Sequence, residues 1–139
     1  MKTLSYSHMF IGKSHEPGME LAEKIKNMVP MDASKVFFGC SGSDANDTQV
    51  KLVWYYNNII GRPKKKKIIG RHKGYHGITL AASSLTGLPA VHKFFDAPLE
   101  GRFFHTDPPY YYRVAEEGES EEYFASRLAE NLEKLILEE

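Results

Sequence analysis

The sequence predicts an α/β fold in which a partial parallel sheet is flanked by helices. Three observations lead to this prediction. Helix-like and strand-like segments alternate along the 139 residues, small or glycine-containing turns separate them, and the strand-like runs are short and apolar. Only about three strands are visible, against the ~5–6 of a typical sheet. We therefore expect residues 1–139 to form a single but partial domain.

Two elements are predicted in the first forty residues. Apolar residues at positions 21, 22, 25 and 28 have helical spacing, which predicts a helix over residues 20–28 that Pro30 ends. The apolar run at residues 35–40 has the length and composition of a strand. The small residues 41–43 close this run and lead into the next helix.

A long helix is predicted over residues 44–60. Ser43 suits its N-cap, and Asp44 and Asp47 suit the positive end of the helix dipole. Gly61 stands where a glycine commonly ends a helix. We expect the aromatic residues in the middle of this helix to lie in the core or at an interface; they are Trp54, Tyr55 and Tyr56.

The second half of the chain continues the alternation. Residues 67–71 predict a strand, residues 74–77 a loop with two glycines, and residues 78–85 a helix of small and apolar residues. Residues 102–105 predict a third strand. A polar linker at residues 116–120 precedes a last helix whose apolar face is given by Phe124, Leu128, Leu132, Leu135 and Leu137.

Composition restricts the class of protein. Apolar residues make up 42% of the sequence and charged residues 26%, as in ordinary globular domains. No apolar run is long enough to span a bilayer, and residues 1–8 lack the apolar stretch of a signal peptide. The single cysteine, Cys40, excludes a disulfide framework and suits a reducing compartment. These features predict a cytoplasmic protein without a membrane segment.

Charge is balanced overall but unevenly distributed. Eighteen Lys and Arg offset 18 Asp and Glu. Nine basic and no acidic residues lie between positions 48 and 95, whereas nine Glu face two basic residues between positions 116 and 139. Two solvated surfaces of opposite sign, or a basic segment that meets an anion, both explain this pattern. Nucleic acid is disfavoured as the anion, because the lysines of residues 64–67 lack interleaved aromatics.

The first candidate site is the predicted strand–helix junction at residues 37–44. Backbone N–H groups of Gly42, Ser43 and Asp44 would converge on one point, where the helix dipole favours an anion. Gly42 would let a phosphate approach the backbone, and the hydroxyls of Ser41 and Ser43 would add donors. An ordinary capped helix start explains the same residues equally well.

Other templates fit this junction less well. Ser41 could be the nucleophile of an α/β hydrolase, but Ser43 stands where the nucleophile elbow has its last glycine. The lysine of a P-loop and the glycine pattern of a dinucleotide site are absent from the sequence here. Cys40 could act as a nucleophile, although a cysteine at the end of a strand is more often a small buried hydrophobic residue.

The second candidate site is the loop at residues 74–77, Gly-Tyr-His-Gly. Parallel strands would bring this loop to the same sheet edge as residues 41–43. Tyr75 could stack on a flat heteroaromatic ligand, and His76 could donate a hydrogen bond or move a proton. A glycine-rich turn with a half-buried tyrosine and a solvated histidine is the alternative. The other histidines have no metal-ligand spacing, so no metal site is predicted.

Both candidate sites together resemble class III aminotransferases, the pyridoxal-phosphate enzymes of fold type I. Their phosphate-binding segment is similar to residues 36–47, Val-Phe-Phe-Gly-Cys-Ser-Gly-Ser-Asp-Ala-Asn-Asp. Their Tyr-His-Gly segment is similar to residues 68–77, Ile-Ile-Gly-Arg-His-Lys-Gly-Tyr-His-Gly, and the likeness continues through residues 79–87. The resemblance covers most of the chain and is strongest to omega-amino-acid and pyruvate-dependent transaminases.

The resemblance implies that five residues bind pyridoxal 5'-phosphate. Gly42 and Ser43 would hold the cofactor phosphate through backbone N–H groups, with Ser41 adjacent. Tyr75 would stack on the pyridine ring, with His76 beside it. The sequence departs from the common family pattern at two neighbouring positions, which are Cys40 in place of Asn or Thr and Asp44 in place of Glu.

Two further residues that the family needs lie downstream of its Tyr-His-Gly segment. They are the lysine that forms a Schiff base with the cofactor and the acidic residue paired with the pyridine nitrogen. The resemblance therefore implies that residues 1–139 are the N-terminal part of the large domain, with no catalytic residue of their own. The lysines of residues 64–67 are predicted to be a solvated turn.

The resemblance also implies the activity of the parent protein. A homodimer would transfer an amino group from an amine or omega-amino acid to a keto acid such as pyruvate. The chain of residues 1–139 alone is predicted to be inactive. Two alternatives stay open from the sequence: an α/β hydrolase with Ser41 as nucleophile, and a non-catalytic phosphate-binding remnant.

Overall fold

The structure is a computed structural model that describes residues 12–139. The chain divides into two compact units, residues 1–39 and residues 40–139. The prediction that no signal peptide is present in residues 1–8 lies outside the described residues. That residues 1–139 form one partial domain stays a prediction.

The described part of the first unit contains one helix. Helix α1 spans Glu16–Met28, which confirms the helix predicted over residues 20–28. It begins one turn earlier because Pro17 is in the first turn, where its missing N–H group leaves no hydrogen bond unmade. The strand predicted over residues 35–40 is wrong, because those residues are irregular. A strand needs a neighbour for its backbone hydrogen bonds, and none pairs with this run within residues 12–139.

The second unit begins with a long helix. Helix α2 spans Gly42–Ile59, so the predicted long helix is confirmed. Its N-cap is Ser41 rather than Ser43, since the Ser41 hydroxyl accepts a hydrogen bond from the Asp44 N–H group at 3.1 Å. Gly61 has φ +74°, the left-handed conformation expected of a glycine that follows a helix.

The aromatic residues of α2 differ in burial. The Trp54 indole N–H donates to the Lys66 carbonyl at 3.0 Å, and the Lys66 ammonium donates to the Trp54 carbonyl at 3.0 Å. Trp54 and Lys66 are therefore half-buried, which corrects the expectation that all four lysines of residues 64–67 are solvated. Tyr55 and Tyr56 are 64% and 62% exposed, so a core position is wrong for them and an interface stays a prediction.

Two parallel strands form the sheet of the second unit. Strand β1, Ile68–Arg71, pairs in parallel with strand β2, Phe103–Thr106, and Ile68 lies opposite Phe103. Helix α3, Leu80–Leu85, lies between them in sequence and is followed by a short 3₁₀ helix at Pro89–Val91. The α/β class with a partial parallel sheet is thus confirmed, with two of the three predicted strands.

The chain ends on two helices. Helix α4 spans Tyr111–Val114 and helix α5 spans Glu121–Glu138. The hydroxyl of Ser120 caps α5 by accepting from the Tyr123 N–H group at 3.2 Å. The predicted apolar face of α5 is confirmed near its start and wrong at Leu137, which is 79% exposed. The buried members of that face are Phe124 and Leu128.

One residue of the predicted polar linker is buried. The carboxylate of Glu119 accepts two hydrogen bonds of 2.7 Å from the Arg127 guanidinium and one of 2.9 Å from the Glu116 N–H group. The hydrogen bonds from Arg127 hold the pKa of Glu119 below its usual value. Paired in this way, the carboxylate joins the linker to α5.

No helix within residues 12–139 is both long enough and apolar enough to cross a membrane.

The surroundings of His105 on β2 predict a pH-dependent contribution to the stability of the second unit. Its ring lies 5.6 Å from the rings of His72 and His92, and its Nε2–H donates to the Leu85 carbonyl at 3.1 Å. Burial lowers the pKa of His105, the charges of His72 and His92 lower it further, and the hydrogen bond to Leu85 opposes the shift. A lowered pKa means that the fold favours the neutral ring.

We therefore expect this contribution to stability to be present above pH 6.5 and to be lost as the pH falls below that value. His105→Gln retains a donor for the Leu85 carbonyl but does not titrate. Between pH 8 and pH 5 the variant should lose fewer degrees of Tm than the wild type, by on the order of a few degrees. Thermal unfolding followed by circular dichroism measures this. Parallel Tm curves for the two proteins would contradict the prediction.

Candidate functional site

Two reciprocal hydrogen bonds cap the N-terminus of α2. The Ser41 hydroxyl accepts from the Asp44 N–H group, and the Asp44 carboxylate accepts from the Cys40 N–H group at 3.1 Å. The expectation that the Asp44 N–H group is available to a ligand is therefore wrong. The N–H groups of Gly42 and Ser43 have no hydrogen-bond acceptor among residues 12–139.

Cys40 is exposed, which corrects the prediction that it is a small buried hydrophobic residue. Its sulfur lies 3.7 Å from a carboxylate oxygen of Asp44. The reason is local, because residues 35–40 do not form a strand and so do not direct Cys40 into a sheet.

The loop at residues 74–77 contacts the start of α2. The Ile78 N–H group donates to the Ser43 hydroxyl at 3.2 Å, and the Thr79 hydroxyl donates to the Ser43 carbonyl at 3.4 Å. Gly77 has φ +122°, and a Cβ built there would overlap the Ser43 hydroxyl and lie 2.9 Å from the Ser43 Cα. These contacts confirm that the two candidate segments lie close together, but the predicted shared sheet edge is wrong, because no strand precedes residues 41–43 in the described part of the chain.

Tyr75 and His76 differ in accessibility. Tyr75 is 62% exposed, so a ligand can reach it from solvent. His76 is half-buried, and its backbone carbonyl accepts from the Asn46 side-chain amide at 2.6 Å. The alternative of a half-buried tyrosine beside a solvated histidine is therefore wrong, because Tyr75 is exposed and His76 is half-buried.

Three polar residues that sequence reasoning did not select connect α2, the loop and α3. Asn46 is the first, through its bond to His76. Asp47 accepts from the Thr79 hydroxyl at 2.8 Å and from the Ala82 N–H group at 2.9 Å. Thr86 accepts from the His76 N–H group at 2.8 Å. Helical spacing could have identified Asn46 and Asp47, because residues three and four positions after Ser43 lie on the same face of the helix.

The donor set at the start of α2 suits an anion. Gly42 and Ser43 supply N–H groups at the positive end of an 18-residue helix, and the Ser41 hydroxyl proton is available because its oxygen serves only as acceptor in the cap. A Cβ built on Gly42 meets no atom within 4 Å, so the approach is open. A phosphate needs this combination of donors and access.

A serine-hydrolase arrangement is not formed at Ser41. Its hydroxyl bonds to the Asp44 N–H group, and no histidine within the described residues is hydrogen-bonded to it. A nucleophilic serine needs such a histidine as general base. The hydrolase alternative is therefore not supported.

Comparison with known proteins extends over the whole chain. A family model described as Aminotransferase class-III matches residues 2–139. The chain is 53% identical to gamma aminobutyrate transaminase 1, mitochondrial, of Solanum lycopersicum, an alignment that covers 100% of the chain and 27% of that protein. It is 52% identical to the diaminobutyrate–2-oxoglutarate transaminase of Halomonas elongata, over 98% of the chain and 29% of that protein.

Solved structures agree in fold. The omega transaminase of Pseudomonas jessenii in complex with PMP superposes with a TM-score of 0.91 at 58% identity, covering 96% of the chain and 29% of that structure. The chain thus spans less than a third of the length of each of these relatives. Since the family model matches almost every residue, the chain belongs to the class-III aminotransferase family.

Proposed function

We propose that this chain is part of a pyridoxal-phosphate-dependent transaminase and that it supplies the phosphate-binding turn and the ring-stacking loop of the cofactor site. The observation that carries the proposal is the contact between Ser43 and Ile78, which brings the start of α2 next to the loop of the exposed Tyr75. Membership in the class-III aminotransferase family supports it independently.

Five residues of the chain fit parts of the cofactor. The N–H groups of Gly42 and Ser43 and the hydroxyl of Ser41 would hold the phosphate, because they are donors at the positive end of a helix. The exposed ring of Tyr75 would cover one face of the pyridine, and the half-buried His76 would stand beside it.

The chain's own residues would bind and orient the cofactor rather than perform the chemistry. When bound, pyridoxal phosphate supplies an electron sink for reactions at the carbon that carries the amino group. Ser41, Gly42 and Ser43 would fix the phosphate end, and Tyr75 would restrict the tilt of the ring and keep water from one face. The rest of the protein would supply the lysine and the acidic residue that the family needs.

The proposed reaction moves an amino group from an amine or omega-amino acid to a keto acid such as pyruvate. Relatives named as transaminases of gamma-aminobutyrate and diaminobutyrate support an omega-amino substrate class. We also propose a cytoplasmic homodimer, for which the exposed apolar residues of α2 would offer a contact surface; they include Leu52, Tyr55, Tyr56 and Ile59. Sedimentation of the whole protein as a monomer would contradict the dimer.

Gly42→Pro tests the phosphate-binding turn. Gly42 is the first residue of α2, where proline is well tolerated, and Ser41 already has the extended backbone that a following proline requires. The substitution removes one N–H donor but leaves the helix in place. We expect the affinity for pyridoxal phosphate and for inorganic phosphate to fall by about tenfold.

Gly42→Ala is the matched control, since it keeps the N–H group and its Cβ meets no atom within 4 Å. Affinities are measured by isothermal titration, and circular dichroism verifies that both variants are helical. Binding by the proline variant equal to that of the alanine variant would show that this N–H group does not hold phosphate.

A further inference from the structure

The loop that carries Tyr75 is held through its backbone by side chains of the two flanking helical segments. Both polar groups of the His76 backbone are taken in this way. Its N–H group donates to the Thr86 hydroxyl at 2.8 Å, and its carbonyl accepts from the Asn46 amide at 2.6 Å. Asn46 lies on α2, whereas Thr86 directly follows α3.

Thr86 is fully buried, with 0% of its surface exposed. Its Oγ1 lies 3.1 Å from the Gly77 carbonyl and 3.0 Å from the Ala82 carbonyl, either of which can accept the hydroxyl proton. The next residue continues the attachment, because the Gly87 N–H group donates to the Gly74 carbonyl at 2.8 Å. Thr86 and Gly87, which follow α3, therefore hold the loop through hydrogen bonds to the backbone of His76 and Gly74.

Asn46 fixes the same loop to α2. It lies three residues after Ser43, on the same side of the helix, and Ser43 accepts from the Ile78 N–H group. The loop is thus tied to the helix whose first N–H groups form the proposed phosphate site. Tyr75 itself makes no hydrogen bond within the described residues, so the hydrogen bonds of its neighbours hold the backbone that carries its ring.

We propose that Thr86 and Asn46 are positioning residues, which grip the His76 backbone from two sides and so place the Tyr75 ring for stacking on the flat ring of the bound cofactor. This inference rests on the proposed function, because it assumes that a ring binds against Tyr75. Stacking depends on the offset and tilt of the two rings, and a loop held before binding loses less entropy when the ring arrives.

The proposal predicts a specific pattern of losses. Thr86→Val has nearly the same shape but no hydroxyl, so the His76 N–H group loses its acceptor. We expect its amide hydrogen exchange to become about tenfold faster. We expect affinity for pyridoxal phosphate to fall by about tenfold while affinity for inorganic phosphate, which does not touch Tyr75, stays as in the wild type.

Thr86→Ser keeps the hydroxyl, so its His76 amide exchange rate and its affinity for pyridoxal phosphate should both stay as in the wild type. Asn46→Ala is a second, independent variant, which should loosen the loop and weaken pyridoxal phosphate binding in the same selective way. Ser120→Ala removes the cap of α5, far from the loop in sequence, and serves as a control for general destabilisation. It should change neither the exchange of His76 nor either affinity.

Three outcomes would overturn the proposal: wild-type affinity for pyridoxal phosphate in both Thr86→Val and Asn46→Ala, an equal loss of phosphate and pyridoxal phosphate affinity, or a loss in Thr86→Ser as large as in Thr86→Val. Failure of the wild-type chain to bind either ligand would instead overturn the proposed function and, with it, the role of Thr86 and Asn46 in cofactor stacking. The hydrogen-exchange measurement needs no cofactor, so it tests separately whether the side chains of Thr86 and Asn46 hold the His76 backbone by hydrogen bonds.

Discussion

Gly77→Ala is expected to push the loop at residues 74–77 away from α2 and to abolish measurable binding of pyridoxal phosphate. Gly77 has φ +122°, a conformation that residues with a side chain rarely adopt. The added Cβ would also overlap the Ser43 hydroxyl and lie 2.9 Å from the Ser43 Cα. Rotation of the hydroxyl relieves the first clash, but only movement of backbone relieves the second. Backbone strain and overpacking together should cost about 3 kcal/mol of unfolding free energy.

Gly118→Ala is the control that separates the cost of backbone strain from the cost of overpacking. Gly118 also has a positive φ, +78°, but a Cβ there meets no atom within 4 Å. Chemical denaturation should therefore find a loss of about 1 kcal/mol for the control, and titration should find its cofactor affinity unchanged. Equal losses of stability in the two variants, or retained cofactor binding in Gly77→Ala, would contradict the predicted contact.

Gly87→Ala should have a comparably large effect on stability for a different reason. A Cβ on Gly87 would overlap the Arg71 carbonyl oxygen and lie 2.7 Å from the Cα of His72. These atoms belong to the end of β1 and the residue after it, and a bridge joins His72 to Gly87. No side-chain rotation relieves contact between two backbones. The bridge must open, at an expected cost of about 3 kcal/mol or more.

Chemical denaturation measures this loss, and hydrogen exchange locates it. The Lys73 N–H group donates to the Gly87 carbonyl at 2.8 Å, and the Gly87 N–H group donates to the Gly74 carbonyl at 2.8 Å. Both amides should lose protection in the variant at Gly87. Gly42→Ala, which adds a Cβ in open space, should lose none. Retained protection of Lys73 in Gly87→Ala would refute the close packing.

Local chemistry made several parts of this fold predictable. The spacing of apolar residues located α1 and α5, and the acidic first turn and Gly61 marked the two ends of α2, because periodicity and helix start and stop signals are properties of a short stretch of chain. The α/β class followed from the alternation of segments. The motifs at residues 36–47 and 68–77 indicated the class-III aminotransferase family, to which the match over residues 2–139 assigns the chain.

Tertiary contacts decided what these local patterns left open. Residues 35–40 have strand composition but are irregular, because a strand exists only when a neighbour takes its hydrogen bonds. Ser41 rather than Ser43 caps α2, and Ser43 is used instead by the Ile78 N–H group. Ser43 has this second partner only because Ile78, 35 residues later in the sequence, lies next to it in the fold. The spacing of residues in the sequence does not contain that information.

The sequence by itself indicated the family, helices α1, α2, α3 and α5, and the candidate site residues, because each of these depends on a continuous stretch of chain; it did not predict the short helix α4. Only the tertiary structure decided that Asn46 and Thr86 hold the backbone of His76 and that the Tyr75 ring is left exposed. The physical reason is that a side-chain-to-backbone hydrogen bond across 30 residues depends on where two segments meet in space. That meeting is fixed by close packing at Gly77 and Gly87, where the absence of a side chain lets the segments approach.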